Sequence, residues 1–229
     1  MNRWLNSIWI IALCLPFTEF NQDGETWNRP QSVAARGQAK AHLAQPGLRE
    51  FTFDAEASQI NIILTQEGMI RRRYPTHLVV ARSFNGKIAL PKDEARMAVE
   101  MEAEAKMMTN ADELMSEFER KEFHNVLRNE MLEADKFPTI RFVSVSVSNV
   151  KKSGNKRSFT LNGDLILHGV TKRMTVPVNA TISEKELRAD GEAKLKQSDF
   201  GLKPFEKGLG LIKIGDVVKV SFSIVAKSQ

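Results

Sequence analysis

Residues 158–197 read SFTLNGDLILHGVTKRMTVPVNATISEKELRADGEAKLKQ, and every second position favours an apolar side chain. Phe159, Leu161, Leu165 and Leu167 share one parity, with Gly163 on the same side, while Ser158, Thr160, Asn162 and Asp164 take the other. Met174, Val176, Val178, Ala180 and Ile182 repeat the pattern against Thr175, Asn179, Thr181 and Ser183. Leu187, Ala189, Gly191, Ala193 and Leu195 do so against Arg188, Asp190, Glu192, Lys194 and Lys196. A period of two is the signature of strands with one wet and one buried face. His168-Gly169-Val170-Thr171-Lys172 reads as a hairpin turn in which Gly169 supplies the permissive backbone angle, and Ser183-Glu184-Lys185 reads as a second turn. The stretch is therefore an antiparallel meander.

The alternation continues on both sides. Val218, Val220, Phe222, Ile224 and Ala226 alternate with Lys219, Ser221 and Ser223 as a closing strand. Met97, Val99, Met101, Ala103 and Ala105 alternate strictly with Glu100, Glu102, Glu104 and Lys106, so a strand is expected despite the helix-forming composition. Between Ile140 and Val147 the parity changes, which a bulge near Phe142 explains. A helix is expected between Asp112 and Leu132, with Leu114, Met115, Phe118, Val126, Leu127 and Met131 on one face. With further segments near 51–54, 58–67 and 76–90, the chain offers about eight or nine antiparallel strands, enough to close a barrel. The fold class is all-β: a closed antiparallel barrel of about eight strands with one short flanking helix. Gly163, Gly191, Ala103, Ala105, Ala180, Ala189 and Ala193 fall on its inward faces. They suit either a hollow interior or a packed barrel that alternates small and large residues.

Ahead of the barrel, residues 1–18 have an apolar run, Ile8 to Leu15, behind Arg3. That is the layout of a signal peptide or N-terminal hydrophobic anchor, and it predicts an exported protein, periplasmic or extracellular. Cys14 is the chain's one cysteine and sits inside that run, so a disulfide framework and a thiolate zinc site are excluded. Residues 19–48 read as linker, leaving 49–229 as the barrel domain. The formal net charge of +5 is compatible with an anionic partner and decides little alone. Arg71 to Arg73, Lys151-Lys152 with Lys156-Arg157, and Lys172-Arg173 fall at expected strand ends, as solvated tips or as contacts to a membrane surface. Nucleic acid is disfavoured, since only Tyr74 offers a stacking ring beside a basic cluster.

Four strings, KFPTIRFVSVSV (136–147), GDLILHGVTKRMTVPVNATI (163–182), GEAKLKQSDFGL (191–202) and IGDVVKVSFSIVA (214–226), resemble the YceI-like family in content, order and spacing. Phe53-Asp54 with Ser58-Gln59-Ile60, and Thr76-His77 with Phe84-Asn85-Gly86-Lys87-Ile88, resemble its first half, while the charged Arg71-Arg72-Arg73-Tyr74-Pro75 insertion departs from it. The resemblance implies an exported, lipocalin-like barrel that holds a polyisoprenoid or other long-chain amphiphilic lipid in an apolar tunnel. It implies no cofactor beyond a bound isoprenoid lipid such as a quinone, and it is compatible with a homodimer.

No constellation supports catalysis. The sequence has no Gly-x-Ser-x-Gly elbow, phosphate loop or dinucleotide fingerprint. His42, His77, His124 and His168 lack metal-ligand spacing, and structural hydrogen bonding is the expectation for His77 and His168. Asp199 is expected to satisfy a turn amide, with Phe200 pointing to the tunnel or core. By inward parity the expected lining is Ile62, Leu64, Leu78, Val80, Phe84, Val99, Met101, Phe142, Leu165, Val176, Val178, Leu195, Phe200, Val220 and Phe222. The expected function is carriage of a long-chain lipid. An enzyme using His77 or His168 on a bound hydrophobic substrate, or a ligand-free structural module, is the alternative reading of the same residues.

Overall fold

The computed structural model describes residues 48–69 and 75–228. The leader, Cys14, the linker up to residue 47 and the arginines at 71–73 lie outside the described residues. The strands are β1 (Arg49–Phe53), β2 (Gln59–Gln66), β3 (Thr76–Ala81), β4 (Phe84–Leu90), β5 (Ala98–Glu104), β6 (Met108–Asn110), β7 (Thr139–Ser153), β8 (Lys156–Leu167), β9 (Val170–Ile182), β10 (Glu186–Lys196), β11 (Glu206–Lys207) and β12 (Ile212–Ser228). A helix, α1 (Glu117–Val126), continues as a π-helical turn over Leu127–Met131.

All the pairings are antiparallel, and eight strands form a ring: β1-β4-β5-β7-β8-β9-β10-β12, closed where Phe51 and Phe53 of β1 meet Ser228 and Ala226 of β12. The first half of β12 pairs instead with β2, which carries β3 and then β6. Three ring positions are thus strands broken in the middle: β1 with β2, β4 with β3, and β5 with β6. The break between β1 and β2 is a turn at residues 54–58, where Ser58 Oγ accepts the Val225 N–H (2.9 Å) and donates to the Asp54 carbonyl (2.6 Å). Among the described residues no ladder joins β6 to β7. Leu127 and Met131 of the π turn pack there with Ile60, Leu64 and Val79. The molecule therefore has a helix end and, opposite it, a hairpin end marked by the β7–β8 tip.

Local chemistry accounts for the elements. Ser116 and Glu119 form a capping box, Ser116 Oγ accepting the Glu119 N–H (3.2 Å) and Glu119 Oε2 accepting the Ser116 N–H (2.9 Å). The β8–β9 connection is a two-residue turn with both His168 (φ 52°) and Gly169 (φ 74°) left-handed, which matches the twist of the flanking strands. Residues 98–104 form a strand, as the alternation predicts, because burial of one face outweighs helix propensity.

Three expectations need correction. The parity-shifting bulge expected between Ile140 and Val147 is present, but it lies at Val145, between the Ser144 and Ser146 pairings and three residues beyond Phe142, and a second irregularity follows between Ser148 and Lys151. The bulge at Val145 turns the inward face from Ile140 and Phe142 to Val147. Leu114 precedes the helix and is 81% exposed, and Phe118 is 73% exposed. Phe118 stands nine residues before Leu127, about two and a half helical turns, and so on the opposite face. Finally, Gly163 and Gly191 do not hollow the interior. A Cβ there would come within 2.3 Å of the Phe142 ring and 2.4 Å of the Phe222 ring, so each glycine is the seat of an aromatic side chain.

Candidate functional site: an apolar interior in two chambers

Inside the ring, side chains leave space. Met101, Phe142, Leu165, Leu195, Val220 and Phe222 line this interior yet are only half-buried. An apolar residue that faces the axis of a packed barrel is normally fully buried. The lower chamber, near the hairpin end and about 1050 Å³ with its mouth included, is lined among the described residues wholly by apolar side chains. A second, the upper chamber, of about 900 Å³ with its mouth included, lies towards the helix end, and among the described residues Gln197 is its one polar wall residue. The two adjoin at Ile60, Met101, Leu165, Leu195 and Val220, which belong to both walls. The rings of Phe53, Phe142 and Phe222, seated over Gly86, Gly163 and Gly191, border the lower chamber. Ala103 in the upper wall and Ala180, Ala189 and Ala193 in the lower leave room that larger residues would take.

Of the residues chosen by parity, Val99, Phe142, Val176, Val178 and Phe222 line the lower chamber and Ile62 and Leu64 the upper, while Met101, Leu165, Leu195 and Val220 line both. Leu78 and Val80 line neither; Val79 and Ala81 take their places. The break at Arg82-Ser83 is the cause, because it puts odd residues inward in β3 and even ones in β4, where a single unbroken strand would keep one parity. Phe84 is inward but packs with Ala81 and Ala103, and Phe200 is 1% exposed against Leu167 and Leu202, so both are packed core and not wall. Sequence reasoning missed Leu127, Met131 and Leu132, which bring the helix to the upper wall. It also missed Gln197, although the row Leu187, Ala189, Gly191, Ala193, Leu195 leads to that residue.

The remaining polar groups serve the frame. His77 Nδ1 donates to Asp112 (2.9 Å) under the Phe123 ring, and His168 Nε2 donates to Glu133 (2.5 Å) against Phe137, so the two histidines have separate partners and neither lines a chamber. His124 Nε2 accepts the Asn110 N–H (2.7 Å), which ties α1 to β6. Burial and the neighbouring Arg128 hold the His124 ring below its ordinary pKa. The turn amide of Ser198 is satisfied by Asp216 (2.8 Å) and not by Asp199, which is exposed. Glu94 accepts from Arg157 (2.7 and 3.1 Å) and lies 3.3 Å from Lys152, and these cations depress its carboxyl pKa. Part of the basic β7–β8 tip is therefore internally paired. Among the described residues no group of three His, Cys, Asp or Glu is placed to hold a metal.

Fold and interior together define a class: closed antiparallel barrels of eight strands around an apolar, incompletely filled core. The YceI-like domain model matches residues 51–226, and the chain belongs to that family. The crystal structure of Burkholderia cenocepacia BcnA is similar at 20% identity, covering 76% of this chain and 98% of that one, with a TM-score of 0.58. A polyisoprenoid binding domain from Saccharophagus degradans, implicated in plant cell wall breakdown, is similar at 12% identity over 78% and 98% of the two chains, also with a TM-score of 0.58. The Campylobacter jejuni YceI protein is 15% identical over 66% and 84%, with a TM-score of 0.51. Identities this low speak to the fold. No curated protein matches the chain.

Proposed function

We propose that this protein is an exported carrier that holds a polyisoprenoid or other long-chain amphiphilic lipid inside its barrel. The observation that carries the reading is the apolar wall with half-buried residues facing the axis, which is unfilled greasy space in a protein interior that would otherwise close-pack. Each methylene moved from water to such a wall contributes about 0.8 kcal/mol, so a long tail needs no polar recognition to bind and selectivity among tails is loose. The similarity to a domain named for polyisoprenoid binding supports the same reading. The leader-like residues 1–18 support export. Exchange of cargo at a membrane surface belongs to the proposal too: Leu114, Phe118 and Leu209 stand exposed around the helix end. His77 and His168, the residues an enzyme of this class would use here, do not line the chambers, and carriage is the better account of the interior.

Native mass spectrometry of the purified full chain, followed by lipid extraction, tests the proposal. A copurifying long-chain lipid, or uptake of an added C20 isoprenoid, is the expected result. An empty barrel that takes up no such chain overturns it.

A further inference from the structure

Among the described residues Gln197 is the polar residue in an otherwise apolar upper chamber, and it is 3% exposed. It stands where it does because it continues the inward row of β10 by one more step of two, just past the strand's last residue, Lys196. Its backbone is fully engaged: the N–H donates to the Asp216 carbonyl (2.9 Å), and the carbonyl accepts from Phe200 (3.0 Å) and Leu202 (3.2 Å). Its side-chain Nε2 donates to the Gly215 carbonyl (2.9 Å). That acceptor is free for it because the pairing of β12 with β2 is irregular between Ile214 and Val218. The bond settles which end of the amide is nitrogen, since a carbonyl can only accept. It leaves Oε1 as the other end, and no donor among the described residues reaches it. Around the chamber stand Leu167, Leu195, Leu202, Val218 and Met131, none of which donates a hydrogen bond.

Oε1 opens onto the chamber, where water can serve it, and a guest that expels that water leaves the oxygen unsatisfied unless the guest itself brings a donor. The upper chamber is therefore built for a guest that brings a donor. A carboxylate would set acceptor against acceptor. An ammonium would find no wall carboxylate to neutralise it. A quinone carries only acceptor oxygens. We infer that the upper chamber is a head-group subsite for a neutral hydroxyl, with Gln197 Oε1 accepting its hydrogen bond while the attached chain runs past the Met101 waist into the lower chamber. The inference rests on the carrier reading and adds to it the chemical class of the ligand's polar end, an alcohol and not a quinone.

Geranylgeraniol and its O-methyl ether test it, titrated separately into the full chain by native mass spectrometry or calorimetry. The two share a C20 tail, and only the alcohol can donate. The alcohol should bind about tenfold tighter, or about 1.4 kcal/mol. In Gln197→Met that ratio should fall to about one. Equal binding of alcohol and ether by the unaltered protein, as when a trapped water already serves Oε1, overturns the head-group assignment and leaves the carrier standing. Failure of both to bind overturns the carrier reading with it. A folded Gln197→Met variant that keeps the tenfold ratio shows that the acceptor is another group. The ratio in the unaltered protein decides even if the variant does not fold.

Discussion

Met101 is the residue at which the carrier reading is most exposed to refutation. It sits in β5, paired with Gly86 on one side and Phe142 on the other, is half-buried, and belongs to the walls of both chambers. In Met101→Glu the empty barrel can hydrate the new carboxylate through the space that leaves Met101 half-exposed, so the fold should survive. A lipid tail, however, must expel that water, and the carboxyl then has to be neutral. Protonating a group of ordinary pKa about 4.3 at pH 7 costs about 1.36 kcal/mol for each of about 2.7 pH units, close to 4 kcal/mol. Affinity for geranylgeraniol should drop about 500-fold at pH 7 and recover about tenfold per pH unit as the solution approaches pH 5. Met101→Gln, measured at each pH, supplies the uncharged reference, with a smaller loss that does not vary with pH. Calorimetric titration alongside a thermal melt reads both affinity and folding. Undiminished binding by a folded Met101→Glu protein, or a loss that ignores pH, refutes the reasoning.

Gly191→Ala should destabilise the protein by about 1–3 kcal/mol in chemical denaturation, because the new Cβ meets Phe222 at 2.4 Å and the Pro177 carbonyl at 2.8 Å, and the backbone atom cannot swing aside. An unchanged midpoint would mean that the ring does not sit where described. His124 is neutral when it accepts the Asn110 N–H, and its folded pKa lies below the unfolded value of 6.5. Its contribution is therefore present in full above 6.5 and is lost as pH falls from there through the folded value. Denaturation midpoints should decline over that window, and less so in His124→Gln, which keeps an acceptor without titrating there. Ser116→Ala removes half of the capping box and should cost about 1 kcal/mol, read as earlier amide exchange in α1 than in the barrel strands.

How far the fold could be read from the residues followed from the continuity of each strand. β8, β9, β10 and the paired half of β12 run unbroken along the barrel wall, and there one parity assigns every inward residue from Phe159 to Phe222. The first half of the chain builds three wall positions from broken strands, and each break inserts residues that obey no period. Leu78 and Val80 were misplaced on that account. Periodicity describes the pleat, and at Arg82-Ser83 the pleat is interrupted. The helix misled in another way, since apolar residues such as Leu114 and Phe118 mark it as amphipathic without pointing at the core.

Gln197 marks a different limit. Parity places it inward as plainly as it places Leu195, but a polar residue at the end of an apolar row reads as the start of a turn. Both descriptions are true. Its main chain makes the turn with Phe200 and Leu202, while its side chain stays on the inward face. What residue order could not supply is the fate of each amide atom, because that depends on where the β12 irregularity leaves the Gly215 carbonyl. Hydrophobic pattern therefore reveals that the barrel has a greasy wall, whereas the group proposed to discriminate between guests sits where the ladder of hydrogen bonds is interrupted and the Gln197 amide oxygen faces the chamber with no donor among the described residues.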